Sequence, residues 1–181
     1  MMLVRAAFSL CGNGKEQPKG FARVRDNGKN VTMTVKIYTD PKFPTEYEVT
    51  IKEDFGTGRK FLESMGMKQI AYQETYREKW SVPIDGVHEI TFDVWPGLPQ
   101  YCEIDCTNKR TLDKMIRLLQ VDRDKITYGS VDKKYRLYYD ITENTINNGT
   151  PLLTFNGVSK QLKPKKNKEL FDEMVRTWKQ K

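Results

Sequence analysis

The stretch Ile90–Cys106, ITFDVWPGLPQYCEIDC, decides how the rest of the chain is read. It reads as two strands joined by the turn Trp95-Pro96-Gly97-Leu98-Pro99. Side chains of a strand alternate with period two. Thr91 and Asp93 therefore share one face of the first strand, and Glu103 and Asp105 share one face of the second. Carboxylates in strands otherwise built from residues such as Tyr101, Cys102, Ile104 and Cys106 are costly unless a cation sits opposite. The chain supplies cations in the same alternating rhythm: Arg23 and Arg25, Lys36, then Arg77 and Lys79. Strands with inward acids and inward bases predict a polar channel that binds a metal and a polyanion.

Outward from this stretch, alternation and β-branched residues predict strands at Leu3–Ser9, Phe21–Arg25, Val31–Ile37, Glu46–Ile51, Met67–Val82, His88–Val94, Tyr101–Cys106 and Leu152–Phe155. Asp26-Asn27-Gly28 is a hairpin signal. Glycines mark Cys11–Gly20 as loop, and two prolines break Asp40–Pro44. Helical spacing appears at Gly58–Met65, where Phe61, Leu62 and Met65 line up before Gly66, and at Thr111–Leu119, with Leu112, Met115, Ile116 and Leu119 on one stripe. Ser130–Tyr139 predicts a shorter helix. Lys163–Lys181 predicts a basic linker and a terminal helix with Leu170, Met174 and Trp178 on one face. Helices do not alternate regularly with strands, so parallel α/β is disfavoured. The class expected is α+β: an antiparallel sheet curled into a barrel, with helices packed outside.

A chain of 181 residues suits one strand-rich domain over 1–156 with a basic linker and helix over 157–181. Its net charge of +7 is uneven, because Lys163–Lys181 carries seven basic against three acidic residues. Three cysteines, Cys11, Cys102 and Cys106, form no C-x-x-C pair. Cys102 and Cys106 fall opposite Glu103 and Asp105, which predicts a packed role and a reducing cytoplasm. The N-terminal stretch has no long apolar region and reads as neither signal peptide nor membrane span. His88, the only histidine, falls in the expected turn Asp85–His88, which removes a Ser/His/Asp triad and a zinc site from consideration. No G-x-x-x-x-G-K-[ST] loop is present.

The chemistry rests with the strand charges. Lys36 shares a face with Thr32 and Thr34, and Arg77 shares one with Gln73, Thr75 and Lys79. Arginine suits bidentate phosphate contact and lysine acts as a mobile point charge. Glu46, Glu48, Asp93, Glu103 and Asp105 are hard oxygen donors of the kind that take Mg²⁺ or Mn²⁺.

FARVRDNGKNVTMTVK, TEYEVTI, AYQETYREKW, ITFDVWPGLPQYCEIDC and YGSVDKKYRLYYDIT, in this order, resemble the CYTH superfamily, the class IV adenylate cyclase and thiamine triphosphatase relatives also called triphosphate tunnel metalloenzymes. The resemblance covers roughly Leu3 to Phe155. It implies an eight-stranded antiparallel tunnel that grips a triphosphate with basic residues and a divalent metal with carboxylates. The family's L-R-x-R strand falls on Arg23 and Arg25, its T-x-K strand on Thr34 and Lys36, and its E-x-E strand on Glu46 and Glu48. Its later arginine falls on Arg77, its acidic strand on Asp93 and its E-I-E strand on Glu103 and Asp105; Arg5 lies where an early tunnel arginine is expected. The E-x-E-x-K strand is absent, so the sequence begins at about the family's second strand. Tyr76 replaces a lysine before Arg77, and E-I-E is E-I-D.

The resemblance implies phosphate contacts from Arg5, Arg23, Arg25, Lys36, Arg77 and Lys79. It implies catalytic roles for Lys36, Arg77 and Asp93, and metal ligands from Glu103, Asp105, Glu46 and Glu48. The activity expected first is Mg²⁺- or Mn²⁺-dependent hydrolysis of a triphosphate: ATP, tripolyphosphate or thiamine triphosphate. Alternatives are a cyclase making cyclic AMP from ATP, and a module that binds nucleotide or polyphosphate without turnover. Nucleic acid is disfavoured because the strand cations are interleaved with acids that repel a phosphate backbone. An open barrel exposes strand edges, which favours pairing with a second copy, so a homodimer is the expected assembly.

Overall fold

The computed structural model describes residues 1–10, 19–38, 45–128, 131–142, 145–146, 152–156 and 162. The predicted loop after Leu10, the proline break before Thr45 and the basic C-terminal linker and helix lie outside the described residues.

The strands are β1 (Met2–Ser9), β2 (Gly20–Asp26), β3 (Val31–Ile37), β4 (Thr45–Ile51), β5 (Gln69–Trp80), β6 (Val87–Val94), β7 (Tyr101–Cys106) and β8 (Leu152–Leu153). The helices are α1 (Phe55–Ser64), α2 (Lys109–Leu118) and α3 (Val131–Tyr138), with a 3₁₀ turn at Arg123–Lys125. The sheet runs β4-β3-β2-β1-β5-β6-β7, and β8 pairs with β5. The β1–β2, β2–β3, β3–β4, β5–β6 and β6–β7 pairs are antiparallel. β8 runs parallel to β5, joining Tyr72 to Leu152 and Gln73 to Leu153. The class is α+β, as the strand and helix order predicted: an antiparallel sheet of the barrel type, incomplete, because no described pairing joins β4 to β7.

The chain divides into two compact units, Met1–Thr75 with Asn147–Gln161, and Tyr76–Ile146 with Leu162–Lys181. In the first unit, Asp26-Asn27-Gly28 makes the β2–β3 turn. Gly28 takes φ 78°, open to glycine at little steric cost, and its amide donates to the Asp26 carboxylate at 2.7 Å. The register then sorts the side chains. Arg5 faces Arg25, Arg25 faces Thr32, Arg23 faces Thr34, Thr34 faces Glu48, and Lys36 faces Glu46. These polar groups all fall on one face, and the alternate residues fall on the other. There Ala6, Phe8, Ala22 and Val24 are buried with Leu10 and Leu62, and Met33, Val35, Ile37, Phe55 and Met67 pack against them. α1 starts at its N-cap Asp54, whose carboxylate accepts the Thr57 amide at 2.7 Å. It closes that core through Leu62, a burial worth about 1.5–3 kcal/mol. Its Gly58 permits the approach, since a Cβ there would lie 3.0 Å from Val24 and 3.1 Å from Ile51.

In the second unit, α2 begins at Asn108, whose side chain caps the Thr111 amide at 3.0 Å, and buries Met115 and Ile116. α3 buries Tyr135, and Tyr139 just beyond it is buried too. The β6–β7 turn is itself interior: Trp95, Pro96 and Leu98 are buried. Tyr135 Oη donates to the Pro96 carbonyl at 2.7 Å and Tyr139 Oη to the Gly97 carbonyl at 2.5 Å. Burial pushes the Tyr139 phenol up to about 12.

Two sequence expectations change. His88 sits inside β6, beside a register shift between Val87 and Glu89, rather than in the preceding turn. Cys102 is exposed and Cys106 half-buried, so the back of β7 is not the packed surface that alternation suggested. β7 is the last strand of the sheet path and lacks a neighbour on one side among the described strands.

Candidate functional site

Two polar clusters emerge, one in each unit. In the first unit, β1 to β4 bring together Arg5, Arg23, Arg25, Lys36, Glu46 and Glu48, all named from the sequence. Arg23 Nη2 donates to the Thr34 hydroxyl at 3.1 Å and lies 3.3 Å from Glu48 and 3.5 Å from Glu46. Arg25 Nη2 lies 3.4 Å from Glu48, which also accepts the Thr34 hydroxyl at 2.7 Å. Lys36 Nζ is 3.2 Å from Glu46, and Arg5 Nε donates to the Gln73 side chain at 2.6 Å. Four cations thus face two carboxylates.

Burial and neighbouring charge together shift the groups of this face. Burial, then the neighbouring Arg25, pulls the Arg23 guanidinium below its ordinary value against the pull of Glu46 and Glu48. Burial raises the Glu48 carboxyl, but the Thr34 hydrogen bond and the two arginines outweigh it and leave it below the usual range. Three donors on this face are buried without a hydrogen-bond partner: Arg23 Nε, Arg25 Nε and the Thr32 hydroxyl. Thr32 stands opposite Arg25 in the register. A buried donor left unpaired costs about 1–3 kcal/mol. A cluster of them beside two like charges is matched to an anion that brings acceptor oxygens.

In the second unit, β5 to β7 bring together Arg77, Lys79, Asp93, Glu103 and Asp105. Asp93 is fully buried and takes Arg77 in a two-pronged ion pair, Nε to Oδ1 at 2.7 Å and Nη2 to Oδ2 at 2.6 Å. The same Arg77 lies 3.2 Å from Glu103 and 3.9 Å from Glu89. Lys79 pairs with Glu89. Asp105 stands opposite Glu89 in the register. Burial lowers Arg77's affinity for its proton, yet Asp93, Glu103 and Glu89 together hold it above its ordinary value. Burial lifts the Glu103 carboxyl, and Asp93, Asp105 and Glu89 add to the lift against Arg77. Four carboxylates thus face two cations.

Among the described residues no three His, Cys, Asp or Glu side chains converge as a ready-made metal cage. The second cluster nonetheless fits a hard cation. It has surplus negative charge, and the Thr91 hydroxyl, 1% exposed and without a partner, stands opposite Glu103 on the same face. Mg²⁺ characteristically keeps several waters and takes only one or two protein carboxylates beside substrate phosphates.

Two further residues join this cluster beyond those the sequence indicates. Glu89 precedes Thr91 and Asp93 by the same period of two, so extending the alternation one step would have found it. Lys134 of α3 stands with its Nζ 4.4 Å from the Tyr101 ring centroid, and no strand pattern could have indicated it.

No protein-family profile matches this chain, and no curated protein matches it. Solved structures do. The PH1819 protein from Pyrococcus horikoshii OT3 is 26% identical, with a TM-score of 0.52 over 67% of this chain and 76% of that one. The PH1012 protein of the same organism is 14% identical, with a TM-score of 0.54 over 70% and 77%. A conserved hypothetical protein from Pyrococcus furiosus is 16% identical, with a TM-score of 0.51 over 70% and 77%. These likenesses concern the fold. No helix among the described residues is long and apolar enough to cross a membrane.

Proposed function

We propose that this chain is a CYTH-type protein that binds a triphosphate and, with Mg²⁺ or Mn²⁺, hydrolyses it. The observation that carries the reading is the set of three buried, unpartnered donors, Arg23 Nε, Arg25 Nε and Thr32 Oγ1, on a face with more cations than carboxylates. Arg5, Arg23, Arg25 and Lys36 take phosphate oxygens. Glu46 and Glu48 hold the cationic side chains extended until the phosphates arrive. They are nearly two-fifths exposed and held at 3.2–3.5 Å, so a polyanion can displace them.

In the second unit Glu103 and Asp105 would hold the divalent cation, with Thr91 beside them. The cation supplies charge neutralisation at a phosphoryl oxygen. Asp93 fixes Arg77, and Arg77 reaches phosphate by exchanging Glu103 for it; Lys79 does the same with Glu89. Hydrolysis then needs water to attack the terminal phosphorus while the bond to the bridging oxygen breaks, the water's proton passing to a phosphate oxygen and the cationic side chains stabilising the charge on the leaving group. The cytoplasm, with its nucleotide and polyphosphate pools, is the compartment this reading implies, and a second copy pairing along the outer edge of β7, which has no neighbour there among the described strands, is the assembly it implies.

The test is phosphate release from tripolyphosphate, ATP and thiamine triphosphate with Mg²⁺ or Mn²⁺, with cyclic AMP measured in the same ATP reactions. Metal-dependent phosphate release is the expected result; cyclic AMP with pyrophosphate would replace hydrolase by cyclase. A second reading is binding without turnover, since the cation-rich face of the first unit, with its unpartnered donors, can take phosphate oxygens without a metal. Ligand-induced thermal stabilisation with no product in any tube would establish it.

A further inference from the structure

α3 is fixed to the β6–β7 turn by two tyrosine hydroxyls one helical turn apart, Tyr135 on Pro96 and Tyr139 on Gly97. The helix is therefore a rigid platform. Lys134, next to Tyr135, extends from it across the first residue of β7, its ammonium 4.4 Å from the centre of the Tyr101 ring. A half-buried ammonium normally finds a carboxylate. Lys134 has none within 4.0 Å among the described residues. The nearby Glu103 is instead paired with Arg77. The ammonium and Glu103 do sense one another: burial draws Lys134 below its ordinary value, and Glu103 partly restores it. Tyr101 stands opposite Asp93 in the register, so Lys134 stands at the end of the same row of charges that holds Arg77 and Asp93.

The geometry points to Lys134 as a substrate-contacting residue of the carboxylate cluster, its ammonium gripping a phosphoryl oxygen beside Glu103 and Asp105, the residues that would hold the cation. This rests on the triphosphate reading above. A lysine suits the role because its flexible four-carbon stem lets a point charge follow an oxygen that moves during transfer. The Tyr101 ring holds the stem in readiness through its negative face without satisfying the ammonium's three donors.

The test compares the full chain with Lys134→Gln and Lys134→Arg by titration calorimetry, using inorganic tripolyphosphate in the presence of Mn²⁺, Mn²⁺ alone, and thermal melting. The expected result is about ten- to hundredfold weaker tripolyphosphate binding for Lys134→Gln, the loss of a charge-assisted contact. Mn²⁺ binding and melting temperature should be unchanged, with partial recovery in Lys134→Arg. Wild-type affinity in Lys134→Gln would overturn the assignment while leaving the function intact. So would a fall in melting temperature large enough to account for the lost binding. Failure of the wild-type chain to bind tripolyphosphate would overturn the function itself, and the assignment with it.

Discussion

β1 to β4 and β5 to β7 use the same residue types in opposite proportion. The first group sets four cations against two carboxylates and the second sets four carboxylates against two cations. The ion pairs also differ in kind. Glu46 and Glu48 are 39% and 38% exposed and sit 3.2–3.5 Å from their partners, whereas Asp93 is fully buried and clamps Arg77 at 2.6 and 2.7 Å. Exposed pairs contribute little to stability and exchange partners easily; a buried two-pronged pair is costly to break. One region is set to trade its internal anions for a ligand's. The other keeps Arg77 anchored on Asp93 while its more exposed partner Glu103, with Asp105, is offered to a cation.

The largest effect that would sharpen this contrast is on turnover. Glu103→Gln combined with Asp105→Asn should abolish metal-dependent phosphate release with little change in circular dichroism or melting. Retained activity would remove both residues from the metal site. Next, Arg23→Ala with Arg25→Ala should weaken tripolyphosphate binding by a hundredfold or more, since each charged hydrogen bond is worth about 1.5–3 kcal/mol. Pyrophosphate should lose less in the same calorimeter, and equal losses would contradict a grip on the third phosphate.

Third, Asp93→Ala should cost about 3–5 kcal/mol in urea unfolding, because it removes the fully buried, two-pronged partner of a half-buried guanidinium and leaves it only the more distant Glu103 and Glu89. Glu46→Ala, removing the partly exposed pairs to Arg23 and Lys36, should cost no more than about 1 kcal/mol, since Arg23 keeps Glu48. Similar costs for the two would break the distinction drawn above. The smallest effect is in acid. Glu48 titrates below its ordinary value when folded, so its contribution to stability is present above the unfolded carboxylate value and is lost as pH falls through the folded one. Glu48→Gln should therefore make the acid limb of a stability–pH curve shallower, and an unchanged limb would deny Glu48 that role.

Much of the fold was legible because its signals are local. The alternation in VTMTVKI and TEYEVTI marks β3 and β4, the Asp26-Asn27-Gly28 turn fixes their neighbour, and Gly66 follows α1 where a stop was expected. Grouping Arg23 with Glu48, or Arg77 with Asp93, also follows from period two once strands are adjacent. What alternation could not supply is partner choice. Alternation offers Arg77 to a phosphate, and only the register adds that three acids surround it. Cys102 was read as packed, because periodicity distinguishes two faces without saying which one is covered. The parallel β8 rests on two residues, too few to carry a periodic signal.

The tip of a hairpin is ordinarily where a sheet begins to fray. Here the tip between β6 and β7 lies in the interior, with Gly97 at φ 77°, the Leu98 amide bonded to the Trp95 carbonyl at 3.0 Å and the two intervening carbonyls held by α3. The turn cannot open unless the helix lifts, so turn and helix should exchange amide protons as one cooperative unit. In a deuterium-uptake time course the Leu98 amide should keep pace with the amides of α3 and lag behind those of the exposed Asn27–Asn30 turn. The strands that carry Asp93 and Glu103 would then be kept in register from their shared end, on a timescale set by the slow release of a helix.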